Sequence, residues 1–262
     1  MAAQISVVVR ARDEAGNIGR CLQLLAAQRV DGPPPQLIVV DGGSRDDTPE
    51  VARDHGATVV SMSRHEFSFG RALNLGATRA TGSLVVAVSA DAFLTGREWL
   101  ARLSAWFADT QVACASGDRY GPWGEPLDQP VQQGLDLAQR YPAWGYSNGA
   151  GAFRADLWRQ RPFREDLPGC EDKEWAWHWL SAGYQCVIDP GLVVDHDHTH
   201  DPVLSIYRRA RREAEGLAMF ANGSAGPRLL PEWWSDTRFY GSPWRARLSH
   251  RRAARLLGAR AG

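Results

Sequence analysis

Acidic side chains cluster where strands should end. Three apolar runs, Val7-Val8-Val9, Leu37-Ile38-Val39-Val40 and Leu84-Val85-Val86-Ala87-Val88, each give way to a polar segment, at 10–14, 41–46 and 89–91. Ligands of open parallel sheets bind beyond the carboxyl ends of the strands, so Glu14, Asp41 and Asp91 describe a nucleotide cradle containing a cation. Further along, Glu171-Asp172 opens a helical pattern just after Pro168-Gly169-Cys170. There the helix macrodipole and free amides favour ionised carboxylates, and a single carboxylate suffices as a general base. Simple helix capping is the competing reading. His196, His198 and His200 alternate with Asp195 and Asp197, so in an extended segment all three imidazoles project to one face. A zinc triad on such adjacent positions is strained for tetrahedral closure and no Cys joins it. A polar strand end with solvent-exposed histidines is the plainer alternative.

The elements that must position these groups follow from periodicity. Strands are expected at 5–10, 36–41, 58–61, 83–89 and 112–116, alternating with helices at about 14–28, 48–55, 69–80 and 98–109. Such alternation argues for crossover units and a mostly parallel α/β sheet, and runs apolar on both alternate faces suit strands covered by helices on two sides. Asp46-Asp47 before Thr48-Pro49 gives a cap and an early proline, and Gly56 ends that helix. Residues 121–146, rich in Gly, Pro, Gln and Trp, read as a loop with one helix on the acceptor side. A strand at 149–153, helices from 155 and over 171–182, strands near 185–188 and 192–194 and a helix at 202–220 complete the pattern. No Gly-x-Gly-x-x-Gly follows the first strand, where Asp13-Glu14 stands instead, and no Walker-type loop is present, so a dinucleotide-binding Rossmann domain is disfavoured.

Composition bounds the function. The 262 residues carry 30 basic and 30 acidic groups, which gives no net pull toward nucleic acid. The formal zero is two opposed halves: residues 1–200 hold 18 basic against 25 acidic groups, and residues 201–262 hold 12 against 5. Twenty-nine of the basic residues are Arg, and Lys173 is the single Lys. Cys21, Cys114, Cys170 and Cys186 are widely spaced without a Cys-x-x-Cys, as free thiols in a reducing cytoplasm would be. No basic leader with a cleavable apolar stretch and no long apolar span is visible, which points to a cytoplasmic protein, peripheral to a membrane at most.

The stretches VVVRARDEAGNIGRCL (7–22), LIVVDGGSRDDT (37–48) and FSFGRALNLGATRATGSLVVAVSADAF (67–93), the pair Glu171-Asp172 followed by Trp175, and VVDHDHTH (193–200) together resemble glycosyltransferase family 2, and most of all its rhamnosyltransferase-like members. The likeness runs in collinear order over about residues 5–215. It implies a GT-A fold, a nucleoside-diphosphate sugar donor, Mn²⁺ or Mg²⁺, a hydroxyl-bearing acceptor and inversion at the anomeric carbon. On this resemblance residues 1–120 form the nucleotide-sugar half, 121–200 the acceptor and catalytic half, and 201–262 a helical basic extension.

The resemblance also assigns roles. Ala11 offers backbone groups to the base, Glu14 a ribose contact, and Asp41 a base or ribose contact, with Gly42 where the family has a second Asp. Arg71 binds the diphosphate through its planar fork, and Asn74 contacts the donor sugar. The family's Asp-x-Asp is here Ser89-Ala90-Asp91, leaving Asp91 as the metal ligand and Ser89 a hydroxyl contact. A divalent cation is what lets an acidic cradle accept a diphosphate. His196 completes metal coordination, with His198 second in register. Asp172 is the base, Glu171 its acceptor-contacting partner, and Asn148 lines the site.

Eleven tryptophans are many for this length. Trp175 and Trp179, four apart, share a helix face and pack, whereas Trp177, with Trp123 and Trp144, could stack on a sugar or aromatic acceptor. Trp175 and Trp177 are that helix's acceptor-binding candidates. Arg245, Arg247, Arg251, Arg252, Arg255 and Arg260 among Leu248, Leu256 and Leu257 form a basic, modestly amphipathic tail. It could contact anionic lipid or a second copy of the chain, or lie solvated on the acidic body. Two alternatives to a glycosyltransferase remain at this point: a non-catalytic sugar-nucleotide binder, and a GT-A-like nucleotidyltransferase, which the missing basic Gly-rich loop disfavours.

Overall fold

The computed structural model describes residues 4–196 and 202–221. The chain runs β1 (Ile5–Ala11), α1 (Ile18–Ala26), β2 (Gln36–Asp41), α2 (Thr48–Asp54), β3 (Thr58–Ser61), α3 (Phe69–Ala77), β4 (Leu84–Ser89), β5 (Phe93–Leu94) and α4 (Trp99–Ala105). It continues through β6 (Val112–Ser116), β7 (Val131–Gln133), α5 (Leu135–Arg140), β8 (Ala150–Arg154), α6 (Ala155–Gln160), α7 (Glu171–Ser181), β9 (Gln185–Ile188), β10 (Val194–Asp195) and α8 (Val203–Ala218). Eight strands form one sheet in the order β3-β2-β1-β4-β8-β6-β9-β7, and β10 pairs with β5 apart from it. β3, β2, β1 and β4 are parallel neighbours, β8 is antiparallel to β4 and β6, and β6 and β9 are parallel. Strands from both halves of the chain thus share the sheet.

Alternation along the strands builds two cores. Val7, Val9 and Ala11 join Ile18, Leu22 and Leu25 of α1 on one face, while Val8, Ile38 and Val40 join Ala72 and Leu73 of α3 on the other. Each such buried aliphatic side chain contributes roughly 1.5–3 kcal/mol. α3 lies directly on β1 through Gly76, where a Cβ would stand 2.3 Å from Val8 Cγ1. Any larger residue there would lift α3, and with it the loop before it, off the sheet.

Several boundaries differ from expectation. α1 begins at Ile18 because residues 14–17 first form a turn in which the Asn17 and Ile18 amides donate to Glu14 O, both at 2.9 Å. α3 stops at Ala77, since the chain turns at Thr78–Ala80 to bring the Gly82 amide onto Ser6 Oγ at 2.9 Å. α4 ends at Ala105 and tightens into a 3-10 turn at Trp106–Ala108, held by Trp106 Nε1 donating to Asp189. The strand expected at 192–194 starts at Val194, because the Leu192 amide is taken up in a turn onto Asp189 O. Within 121–146, β7 adds an unforeseen edge strand on β9. Among the described residues no helix is long and apolar enough to cross a membrane. The tail arginines from 245 onward lie outside the described residues.

Candidate active site

The carboxyl ends of β1 and β2 carry two loops knitted together by side chains. Asp41, almost fully buried, accepts from the Ser44 amide at 3.1 Å and from its hydroxyl at 2.5 Å. Asp13 sits at φ 58°, in the left-handed region that Asp tolerates better than most residues. It accepts from the Arg45 amide at 2.8 Å and pairs with Arg64, and these contacts hold its carboxyl below the usual range. Asp46 takes the Thr48 hydroxyl and amide and the Ala15 amide, which lower its pKa likewise. Asp46, and not the adjacent Asp47, therefore supplies the side-chain cap. The Ala11 carbonyl accepts from the Gly42 amide at 2.9 Å, which ties the strand ends to each other.

Beside these loops Asp91 follows β4 and His196 follows β10, and His196 Nε2 lies 3.3 Å from Asp91 Oδ2. Glu14 is half-buried, and burial raises its pKa, as does the charge of Asp91; His196 acts in the opposite sense. Behind them burial drives the Cys21 thiol to about 12, so it stays protonated. A carboxylate and an imidazole with a second carboxylate nearby form a donor set that suits Mn²⁺ and, through the oxygens, Mg²⁺. Among the described residues no group of three or more metal-ligating side chains is closed around one point. Hard cations at phosphate sites are commonly held by one or two protein ligands plus phosphate and water oxygens. His198 lies outside the described residues. Ser89 ends β4 half-buried, its amide donating to Gly149 O at 2.8 Å.

The third part is the head of α7. Cys170, at φ 62°, turns the chain into the helix and delivers Glu171 and Asp172 beside Asn148. Asp172 accepts from the Asn148 amide at 3.2 Å and the Lys173 amide at 2.7 Å. Glu171 is 4% exposed and pairs with Arg10 at 3.3 Å. Burial first, and the neighbouring Asp172 second, raise it to about 7 against the pull of Arg10. Arg10 also donates to Asn148 O at 2.9 Å. Asn148, 1% exposed, accepts at Oδ1 from the buried Tyr146 hydroxyl at 2.7 Å. Its Nδ2 lies near enough to steady the Glu171 charge, yet neither it nor Arg10 Nε meets an acceptor in hydrogen-bond geometry. Lys173, the single lysine, donates to the Gly145 carbonyl at 2.9 Å and to that of Tyr146, which fixes the strand-ward loop against the helix.

Three expected contacts lie elsewhere. Trp175 is 0% exposed, with rings of Phe153 and Phe163 around it and its Nε1 donating to Arg161 O at 2.7 Å. It packs with Trp179 as its spacing predicts and presents no face to an acceptor. Asn74 is a clamp: its amide bonds the Phe163 backbone at both ends and takes Trp158 Nε1 at 2.9 Å, leaving nothing for a sugar. Arg71 turns to Glu66 at 3.3 Å and lies 4.0 Å from Glu165, so both carboxylates compete with a diphosphate for its guanidinium. Trp177 is half-buried edge-on to Phe220. Periodicity missed Arg10 and Tyr146. The signal for Arg10 was a charged residue closing an otherwise apolar strand.

A family model, glycosyl transferase family 2, matches residues 6–163. The O-antigen chain rhamnosyltransferase WbaN of Salmonella anatum is 31% identical over 196 residues, which cover 68% of this chain and 61% of that protein. The chain spans 23% to 61% of the length of the first curated relatives it matches. Among solved structures, a mannosyltransferase from Pyrobaculum calidifontis in complex with GDP-Man and Mn²⁺ superposes with a TM-score of 0.69 at 23% identity, over 100% of this chain and 76% of that one. Glucosyl-3-phosphoglycerate synthase from Mycobacterium tuberculosis, with Mn²⁺, UDP-glucose and phosphoglyceric acid, gives 0.60 at 23% identity over 82% and 79%. These likenesses show the GT-A fold.

Proposed function

The chain belongs to glycosyltransferase family 2, and from that premise we propose that it transfers a sugar, with inversion, from a nucleoside-diphosphate donor to an acceptor hydroxyl. The observation that carries the reading is the head of α7. Asp172 is oriented by two backbone amides, beside a buried Glu171 anchored to Arg10. Asp172 takes the proton as the acceptor oxygen bonds to the anomeric carbon, and the bond from that carbon to the diphosphate oxygen breaks on the opposite face. One carboxylate is enough because no covalent intermediate forms. Glu171 holds the acceptor. An intact acid pair favours an enzyme over a sugar-nucleotide binder, and over a nucleotidyltransferase.

The knitted loops at 11–15 and 41–48 suit a nucleoside, with Ala11 and Asp41 at its base and Glu14 at its ribose. A Mn²⁺ or Mg²⁺ ion would be held by Asp91 and His196, with His198 as a second candidate, and would neutralise diphosphate charge. Two curated relatives are O-antigen chain rhamnosyltransferases, so deoxyhexose donors head the list to be tried. The test is a panel of nucleotide sugars screened for thermal stabilisation with Mn²⁺. At one hundred times Kd a true donor adds about 2.7 kcal/mol, and Asp91→Ala should abolish the dependence on Mn²⁺. Stabilisation by no nucleotide or nucleotide sugar would refute the reading.

A further inference from the structure

Guanidinium groups from opposite ends of the chain meet at the mouth of this site. Arg12, exposed just past the end of β1, lies with its Cζ 4.9 Å from the centre of the Phe67 ring. Phe67 meets Phe69 edge-on at 5.4 Å. The Phe69 ring carries both Arg10, at 5.5 Å, and Arg212 of α8, at 5.3 Å. These contacts make a continuous path from the loop at Gly42, whose Cβ would touch Phe67 at 2.9 Å, to Arg10 and its partner Glu171. Arg209 stands one turn before Arg212 on the same face of α8.

Backbone packing sets where α8 carries Arg212. α8 closes on the loop before the acid pair through Gly216, where a Cβ would stand 2.0 Å from Gly169 O, and Cys170 Sγ reaches Glu213 O at 3.5 Å. Neither Arg12 nor Arg212 forms an ion pair among the described residues. Arg212 loses basicity to desolvation and then to the nearby charges of Arg209 and Arg12, with Glu213 and Glu171 opposing. Arg12 and Arg212 thus each present a guanidinium on an aromatic support with no ion pair of its own among the described residues, an arrangement that suits an incoming anion.

We infer that Arg12 and Arg212, with Arg209 beside them, form a binding site for a phosphate or diphosphate group, placed between the β1–β2 loops and the acid pair. The role expected of Arg71 falls to these residues. Forked guanidiniums suit phosphate oxygens, and their location suits the diphosphate as it leaves the sugar. An acceptor phosphate offers the same chemistry. The inference rests on the donor reading above only for the choice between these two sources.

The test is calorimetric titration of the full chain, without metal, with inorganic pyrophosphate, a panel of nucleoside diphosphates and the parent nucleosides. It compares wild type with Arg12→Gln, Arg212→Gln and the control Arg79→Gln, which removes an exposed charge elsewhere. Losing one charge-assisted contact should weaken binding about tenfold or more. If nucleoside diphosphates weaken in both cluster variants while nucleosides do not, the site takes the donor diphosphate. If only pyrophosphate weakens, the site is real and serves a phosphorylated acceptor. Unchanged binding of both, or an equal loss in Arg79→Gln, overturns the inference. Should wild type bind pyrophosphate but no nucleoside diphosphate, the donor reading fails while the cluster is still judged by its variants.

Discussion

On the loops after β1 and β2, Asp13, Asp41 and Asp46 give their oxygens to amides and hydroxyls of those same loops. At the head of α7, Glu171 is buried with one cation for partner, and Asn148 Nδ2 and Arg10 Nε stay without acceptors. The first region is internally satisfied and so holds its shape without a ligand. The second keeps unmet polar capacity and a carboxyl raised to about 7, the state in which a group exchanges protons near neutral pH. On the reading proposed above, the first region would bind the nucleotide and the second would carry the chemistry.

The largest test of that contrast is Arg10→Met. It strands Glu171 as a buried charge, and breaking such a pair costs roughly 3–5 kcal/mol. The loss of Tm should be greatest at pH 8 and smaller at pH 5, where Glu171 can take a proton. Equal losses at both pH values would mean that Glu171 is not the charge being stranded. Next comes pH dependence. A carboxyl raised from 4.5 to about 7 binds its proton more tightly folded than unfolded. Wild type should therefore lose stability as pH rises from about 4.5 through 7, by a few kcal/mol at most. Glu171→Gln should flatten that slope, measured as Tm against pH.

The smallest effect is expected on the satisfied side. Asp46→Ala frees the Ala15 and Thr48 amides. It should lower Tm by a few degrees and weaken nucleoside diphosphates severalfold, leaving kcat at saturating donor unchanged. A fall in kcat with unaltered affinity would erase the distinction between the two regions.

Much of the frame was legible. β2, β6 and β9 lie where apolar runs between turn residues place them, because two-sided burial writes itself as uninterrupted apolarity; β3, an edge strand, was marked by its β-branched Thr58-Val59-Val60. β7 was not, since Val131-Gln132-Gln133 pairs along a single neighbour and needs no apolar run. Trp175 illustrates a second limit. Spacing put it on one face with Trp179, but nothing local says whether that face meets the core or an acceptor. Asn74 was misread for a related reason: its partners at Phe163 and Trp158 are more than eighty residues away. Arg10 reads as a surface charge until Glu171, brought in by α7, gives it a partner.

The central claim is that Asp172 is the base and the β1–β2 loops the binding surface. Measuring kcat and nucleoside diphosphate affinity side by side in Asp172→Asn tests it most directly. The account predicts a fall in kcat of about 10²–10⁴-fold with unchanged nucleotide affinity. Transfer at the wild-type rate, or nucleotide affinity lost in step with activity, would contradict it.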